Sequence, residues 1–439
     1  MKIVSENSTG LNGKISIPGD KSISHRALML GALARGVTRI EGLLEGEDVL
    51  RTADALSAMG ANLRREGPGR WTAEGAGTLR SPGRVLDMGN AGTGVRLLMG
   101  LVASYPLKVT FTGDASLRSR PMKRVTEPLS LIGASFEAAE GVKLPLSVVG
   151  TATPKPASYT LPVASAQVKS ALLLAGLNID GETVVYEPVL CRDHTERMLK
   201  GFGADITAEP WETGRKIVLK GKATLRAADV RVPADISSAA FPMAAALITP
   251  ASEIVMPGVG INPLRAGIID VLREMGGDIR LEKRREEAGE PVADLRVCSS
   301  RLKGVDVPAA KAPSMIDEYP VLAVVAAFAD GVTRLRGLSE LKVKESNRFD
   351  AIIEGLRKNG IPARADGDDL LIPGKGENAC GGGLIEAKLD HRIAMAFMVM
   401  GMASERPVLV DDISSVATSF PDFTGLMNAK GAHIHDYRD

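Results

Sequence analysis

Hydrophobic and polar positions along this 439-residue chain repeat on a long period. Six times an amphipathic segment ends in a glycine followed by a short β-prone stretch: MGANL (59–63), IGASF (132–136), FGADI (202–206), MGGDI (275–279), NGIPA (359–363) and KGAHI (430–434). The glycines Gly60, Gly133, Gly203, Gly276, Gly360 and Gly431 lie 73, 70, 73, 84 and 71 residues apart, and the fourth residue before each is Leu56, Leu129, Leu199, Leu272, Leu356 or Met427. This spacing predicts six surface helices, each packed on a sheet by its last turn and closed by glycine in a left-handed cap. Midway between the glycines come apolar runs: 27–34, 95–103, 170–177, 241–248, 321–329 and 393–403. They are hydrophobic all round and therefore predict buried helices. All are far shorter than the roughly 20 apolar residues of a bilayer span.

Each repeat thus reads as buried helix, turn, surface helix, capping glycine, strand and a further strand such as 144–150, 216–221 or 369–374. A supersecondary unit of this size buries its apolar face only against its copies. The sixth copy lacks the further strand, and KIV (2–4) and KISIP (14–18) at the start of the chain are otherwise unpaired. We therefore expect three repeats, 19–232, in one domain, and 1–18 with 233–439 in the other. The chain would cross twice, near Pro18 and Pro233, making a two-strand hinge beside a cleft. The charged stretch KRREEAGEP (283–291), which accounts for the long interval, predicts a solvated loop.

Composition fits two domains with ample cores: 44% of residues are hydrophobic and 24% charged. A net charge of +1 and only 4% aromatic residues give no pull toward nucleic acid. The start, MKIVSENSTG, has no apolar signal core, so a cytoplasmic location away from membranes is expected. Cys191, Cys298 and Cys380 are scattered and odd in number, which indicates neither a disulfide framework nor a Cys-x-x-Cys metal site.

The chemistry lies at the beginnings of the buried helices: PGDKSISHR (18–26), DMGNAGTGVR (87–96), VASAQVKS (163–170), PADISSA (233–239), PSMIDEY (313–319) and LDHR (389–392). Pseudo-symmetric copies would aim these helix N-termini at one region and make an anion site. Lys21, Arg26, Arg120, Lys169, Arg192, Lys344, Arg348 and Arg392 sit in or beside short segments of Gly, Ser, Thr or Asn. Singly each reads as a solvated charge, but together they favour a substrate with several phosphate or carboxylate groups. Asp317 and Glu318 open the fifth buried helix, Glu345 lies between Lys344 and Arg348, and Asp317 or Glu345 would serve proton transfer. The competing readings are a helix cap for Asp317 and an intrahelical pair of Glu345 with Arg348. His25 and His391 could each simply cap or orient their neighbours.

The runs 18–34, EGEDVLRT (45–52), GNAGTGVRLLMG (89–100), GDASLRSRPM (113–122), ASAQVKSALLLAGL (164–177), RDHTERML (192–199), SMIDEYPVLA (314–323), VKESNR (343–348), LDHRIAM (389–395) and ATSFPDF (417–423) resemble the 5-enolpyruvylshikimate-3-phosphate synthase family. The resemblance spans nearly the whole chain, and SAQ and RDHTE bring it nearest the bacterial branch called class II. It implies two inverse α/β barrels of three repeats each, of the EPT/RTPC-like kind. It also implies transfer of the enolpyruvyl group of phosphoenolpyruvate to the 5-hydroxyl of shikimate 3-phosphate, with release of phosphate and no metal or organic cofactor. A monomeric enzyme sensitive to glyphosate is expected.

By motif, Lys21, Ser22 and Arg26 correspond to shikimate 3-phosphate ligands, with Lys21 also reaching phosphoenolpyruvate. Ser165, Ala166 and Gln167 correspond to the segment that holds the 3-phosphate and underlies the ring, and Arg192 to a second phosphate clamp. Asn90, Gly92, Arg120, Gln167, Arg348 and Arg392 line the implied phosphoenolpyruvate pocket, and Lys344 serves both substrates. Asp317 is the implied acceptor of the 5-hydroxyl proton and Glu345 the implied donor to the methylene carbon. The chain departs from the other branch at Thr418, where a lysine is usual, so assistance to the departing phosphate is open between Lys21 and the arginines.

Three alternatives contrast with this. The sister transferase acting on UDP-N-acetylglucosamine carries a cysteine in the loop that here reads GDASLRSRP (113–121). A P-loop needs glycine directly before its lysine, where Asp20 stands. A non-catalytic clamp for nucleic acid or protein would release no phosphate.

Overall fold

The computed structural model describes residues 2–75, 77–376 and 379–437. The chain forms two compact units: a central one, Gly19–Val232 with Glu286–Glu290, and a discontinuous one, Met1–Pro18, Pro233–Arg285 and Pro291–Asp439.

Among the described residues there are six four-stranded sheets, three in each unit. In every sheet a short outer strand runs parallel to its neighbour, which pairs antiparallel with the next. The neighbour is an element the hydrophobic pattern does not predict. Gly36–Glu41, Lys108–Thr112, Glu182–Glu187, Glu253–Gly260, Val332–Leu335 and Val408–Val410 are strands where a turn is expected after each apolar helix. Each is short and follows a long apolar run, so its period-2 alternation is submerged in the helix signal. The start of the chain feeds two sheets. Ile3–Glu6 lies between Val408–Val410 and His433–Asp436, and Asn12–Lys14 runs parallel to residues 253–255.

The apolar helices are Lys21–Leu33, Gly92–Ala103 and Ala166–Gly176 in the central unit, and Ile236–Ile248, Tyr319–Ala327 and His391–Gly401 in the other. Every residue of Ile236–Ile248 is buried, as an element without a polar face requires. Helix approach is close: a Cβ on Gly100 would lie 2.3 Å from the Ala171 carbonyl oxygen. All six marker glycines have positive φ, from 81° to 111°, and the leucine or methionine four residues earlier is wholly buried in each case. The surface helices therefore end in left-handed caps and anchor by their last turn.

The stretch 283–291 is largely exposed, as expected, but it is a hairpin rather than a loop. Residues 288–289 turn a hairpin between the strands Asp278–Glu287 and Glu290–Cys298. Glu290 is 1% exposed, with Oε1 2.7 Å from His194 Nδ1, and Arg197 donates to the Gly289 carbonyl at 2.9 Å. These contacts group 286–290 with the central unit rather than with the rest of 233–439. No helix among the described residues is long and apolar enough to cross a membrane.

Candidate active site

Polar chemistry gathers at the N-terminal ends of the apolar helices because the rest of each helix is enclosed. Side chains of Asp20, Ser165, Asp235 and Asp390 cap four of the six, accepting from backbone N–H groups two or three residues on.

In the central unit, Lys21 Nζ lies 2.9 Å from Asp48 Oδ2. Arg26, on the same helix and buried, donates Nε to Thr195 Oγ1 at 2.7 Å, Nη1 to the Ser22 carbonyl at 2.8 Å and Nη2 to Ser170 Oγ at 2.7 Å. Burial, together with the nearby Arg192 charge, lowers its pKa to about 10, so it stays protonated at neutral pH. His25 is inside this packing, its Nδ1 2.8 Å from Thr52 Oγ1. Burial and the charges of Lys21 and Arg26 lower its pKa to about 3, which makes it a neutral structural group. Arg120 Nη2 donates to Asn90 Oδ1 at 2.6 Å, and Asn90 Nδ2 donates to Asp114 Oδ2 at 2.7 Å. Gln167 Nε2 donates to Thr93 Oγ1 at 2.9 Å, while Ala166 is the first residue of its helix.

Gly92 is the first residue of a helix and its φ is not positive, so the turn does not require glycine there. A Cβ would meet Arg120 Nη1 at 3.0 Å and Arg96 Nη1 at 3.1 Å. The residue with φ of 54° is Gly89.

The discontinuous unit assembles four cations, Arg265, Lys344, Arg348 and Arg392, with four carboxylates, Asp317, Glu318, Glu345 and Asp390. Arg348 is wholly buried and holds three of the acids: Asp390 Oδ2 at 2.8 Å from Nε, Glu345 Oε2 at 2.5 Å from Nη2 and Asp317 Oδ1 at 3.3 Å from Nη1. Lys344 Nζ lies 3.4 Å from the same Asp317 oxygen. Arg392 Nη1 donates to Ser237 Oγ at 2.7 Å and to the Asp317 carbonyl at 3.3 Å. Glu318 accepts two bonds from Arg265, at 2.8 and 3.0 Å, and one from the Ser237 hydroxyl. Burial would raise the Glu318 pKa, but Arg265 outweighs it and holds the carboxyl below its usual range, a fixed counter-ion rather than a proton donor. Exposure separates the acids: the side chains of Glu318 and Asp390 are 0% accessible, whereas Asp317 retains 16% and Glu345 25%. Asp317 caps no helix, and Glu345 precedes the helix Arg348–Lys358, so its pair with Arg348 is not intrahelical.

Lys21, Ser22 and Arg26 are thus brought to one helix start, Asn90 to Arg120, and Asp317, Lys344 and Glu345 to Arg348. Lys169 departs from the reading as a substrate-facing cation. Its ammonium is fully buried between Glu187 and Glu196. The residues that hold the candidates, Asp48, Asp114 and Asp390, lie within the quoted motifs but carry no signal of their own. Ser237 lies within the helix-entry segment 233–239 but is not distinguished there, and Arg265 shows nothing in sequence that would single it out.

A family model for EPSP synthase (3-phosphoshikimate 1-carboxyvinyltransferase) matches residues 5–427. Among curated relatives, the 3-phosphoshikimate 1-carboxyvinyltransferase of Rhodospirillum rubrum is 58% identical over 434 residues, 97% of this chain and 96% of the relative. That of Methylorubrum extorquens is 57% identical over 432 residues, 97% and 95% of the two chains. A solved structure of EPSP synthase from Acinetobacter baumannii superposes with a TM-score of 0.88 at 43% identity, covering 99% of this chain and 100% of that one.

Proposed function

Because the chain belongs to the EPSP synthase (3-phosphoshikimate 1-carboxyvinyltransferase) family and transfers the enolpyruvyl group of phosphoenolpyruvate to the 5-hydroxyl of shikimate 3-phosphate, we propose the following roles. Asp317 takes the 5-hydroxyl proton as that oxygen bonds to C2 of phosphoenolpyruvate, and Glu345 delivers a proton to C3. The tetrahedral adduct then loses a proton from the new methyl group and expels phosphate. Lys21 carries positive charge to the leaving phosphate, since Thr418 only donates its hydroxyl to the Ser415 carbonyl.

The observation that carries the assignment is the exposure split: of the four clustered carboxylates, Asp317 and Glu345 are the two that solvent or substrate can reach. Both adjoin fixed cations, which stabilise charge developing beside the substrate's own carboxylate and phosphate. Lys21, Ser22, Arg26, Ser165, Ala166, Gln167, Arg192, Asp317 and Lys344 take shikimate 3-phosphate. Lys21, Asn90, Gly92, Arg120, Gln167, Lys344, Arg348 and Arg392 take phosphoenolpyruvate. Guanidinium groups suit both substrates, whose anionic groups accept paired N–H donors.

The three-repeat units are proposed to be inverse α/β barrels, and the enzyme to be a cytoplasmic monomer inhibited by glyphosate; every side chain invoked comes from one chain. Running the reaction in deuterium oxide tests the donor. Wild type should place deuterium in the product methylene, and Glu345→Gln should slow this incorporation by about 10²–10⁴. Incorporation at the wild-type rate would remove Glu345 from the role.

A further inference from the structure

Behind the arginines of the central unit lies a buried ion network with no part in the reaction steps. Lys169 stands between Val168 and Ser170 in the helix Ala166–Gly176 and is completely enclosed. Its Nζ lies 2.8 Å from Glu187 Oε1 and 2.7 Å from Glu196 Oε1, and donates to the Cys191 carbonyl at 3.3 Å. Glu187 Oε1 also accepts from the Cys191 N–H at 2.7 Å. Both backbone polar groups of the residue immediately before Arg192 are therefore tied to the same ion pair. The neighbouring residues repeat the linkage: Ser170 Oγ and Thr195 Oγ1 are 2.7 Å apart, and Arg26 donates to each.

Burying a lysine is costly even when it is paired, and an aliphatic residue would fill the helix position without that penalty. Although burial opposes the charge, Glu196 and the groups of Cys191 and Glu187 hold the ammonium well above the ordinary lysine range, so it is permanently cationic.

We propose that Lys169 is a positioning residue for shikimate 3-phosphate: with Glu187 and Glu196 it fixes the backbone that presents Arg192 and the hydroxyl pair that aims Arg26. This rests on the reading of Arg192 as a phosphate clamp. Lys169 touches no substrate and acts through these two arginines. Removing it releases the Cys191 carbonyl and leaves two carboxylates without their shared counter-ion, so recognition of the phosphorylated acceptor should suffer while that of phosphoenolpyruvate does not.

The test compares three variants of the full chain: Lys169→Met, Arg192→Gln and, as a control for lost stability, the core truncation Leu173→Ala on the same helix. Calorimetry gives the Kd for shikimate 3-phosphate, and steady-state assays at saturating shikimate 3-phosphate give KM for phosphoenolpyruvate. The expected result is a Kd raised about 10- to 100-fold by both Lys169→Met and Arg192→Gln, the range for losing bonds to a charged group. KM for phosphoenolpyruvate should stay within about 3-fold, and Leu173→Ala should leave Kd unchanged. If Arg192→Gln weakens binding but Lys169→Met does not, the positioning role is overturned and the clamp stands. If Arg192→Gln has no effect, the clamp reading falls and the proposal with it. An equal loss of affinity in Leu173→Ala would reduce Lys169 to a purely structural role. Should Lys169→Met not yield soluble protein, Glu196→Gln keeps the shape and removes one partner; a rise of about 3- to 10-fold is then required, and none would overturn the proposal.

Discussion

Replacing Asp317 by asparagine separates its chemical role from its structural one. The side chains are nearly isosteric, and Oδ1 remains an acceptor for Arg348 Nη1 at 3.3 Å and Lys344 Nζ at 3.4 Å. Those contacts are longer than the 2.7–2.9 Å of strong charge-assisted bonds, and the side chain is partly exposed. Arg348 keeps Asp390 and Glu345 as counter-ions. The stability loss should therefore be about 1 kcal/mol or less, a melting shift of about 2–4 °C at most. Losing a general base instead lowers kcat by about 10²–10⁴, equivalent to ~2.7–5.5 kcal/mol of transition-state stabilisation. Phosphate release measured continuously at saturating substrates, beside calorimetric Kd values and a thermal melt, reports all three quantities. A variant that keeps kcat within about 10-fold of wild type, or whose loss of activity tracks a large fall in Tm, would refute the proton-acceptor role.

Gly92→Ala should fold as well as wild type or slightly better, because the position is helical and alanine is the better helix former by up to ~1 kcal/mol. Its methyl group pushes on the guanidinium tips of Arg120 and Arg96, so the inhibition constant for glyphosate should rise more than KM for phosphoenolpyruvate; equal rises, measured side by side, would remove Gly92 from the pocket. His25 sets a pH dependence: its folded pKa of about 3 lies below the ordinary 6.5, so between those values the unfolded chain binds the extra proton and stability falls as pH falls, by about 1.4 kcal/mol per unit. Urea unfolding of wild type and His25→Asn should show the stability gap at pH 7 narrowing by about 2 kcal/mol at pH 5, and a gap independent of pH would contradict the assignment.

What the sequence by itself determines here is whatever depends on local geometry. A leucine one turn before a glycine makes an anchored helix with a left-handed cap wherever it occurs, and six copies on a near-constant period declare the repeat. An apolar run without a polar face must be enclosed, so its only charges gather at its ends, and the segments that hold the candidate residues are legible for that reason. Only the tertiary structure decides which charges face one another. Lys169 and Arg348 look alike as cations near helix starts. Yet Lys169 is locked between Glu187 and Glu196, whereas Arg348 gathers three acids, two of them accessible. Asp317 and Glu318 are neighbours in sequence, but Glu318 is wholly buried and takes two bonds from Arg265, 53 residues before it, whereas Asp317 stays partly accessible beside Lys344 and Arg348. The strand that follows each apolar helix was equally hidden, because a few alternating residues gain meaning only from the partners beside them. Pairing between distant residues is a property of the assembled layers, and a one-dimensional pattern holds no record of it.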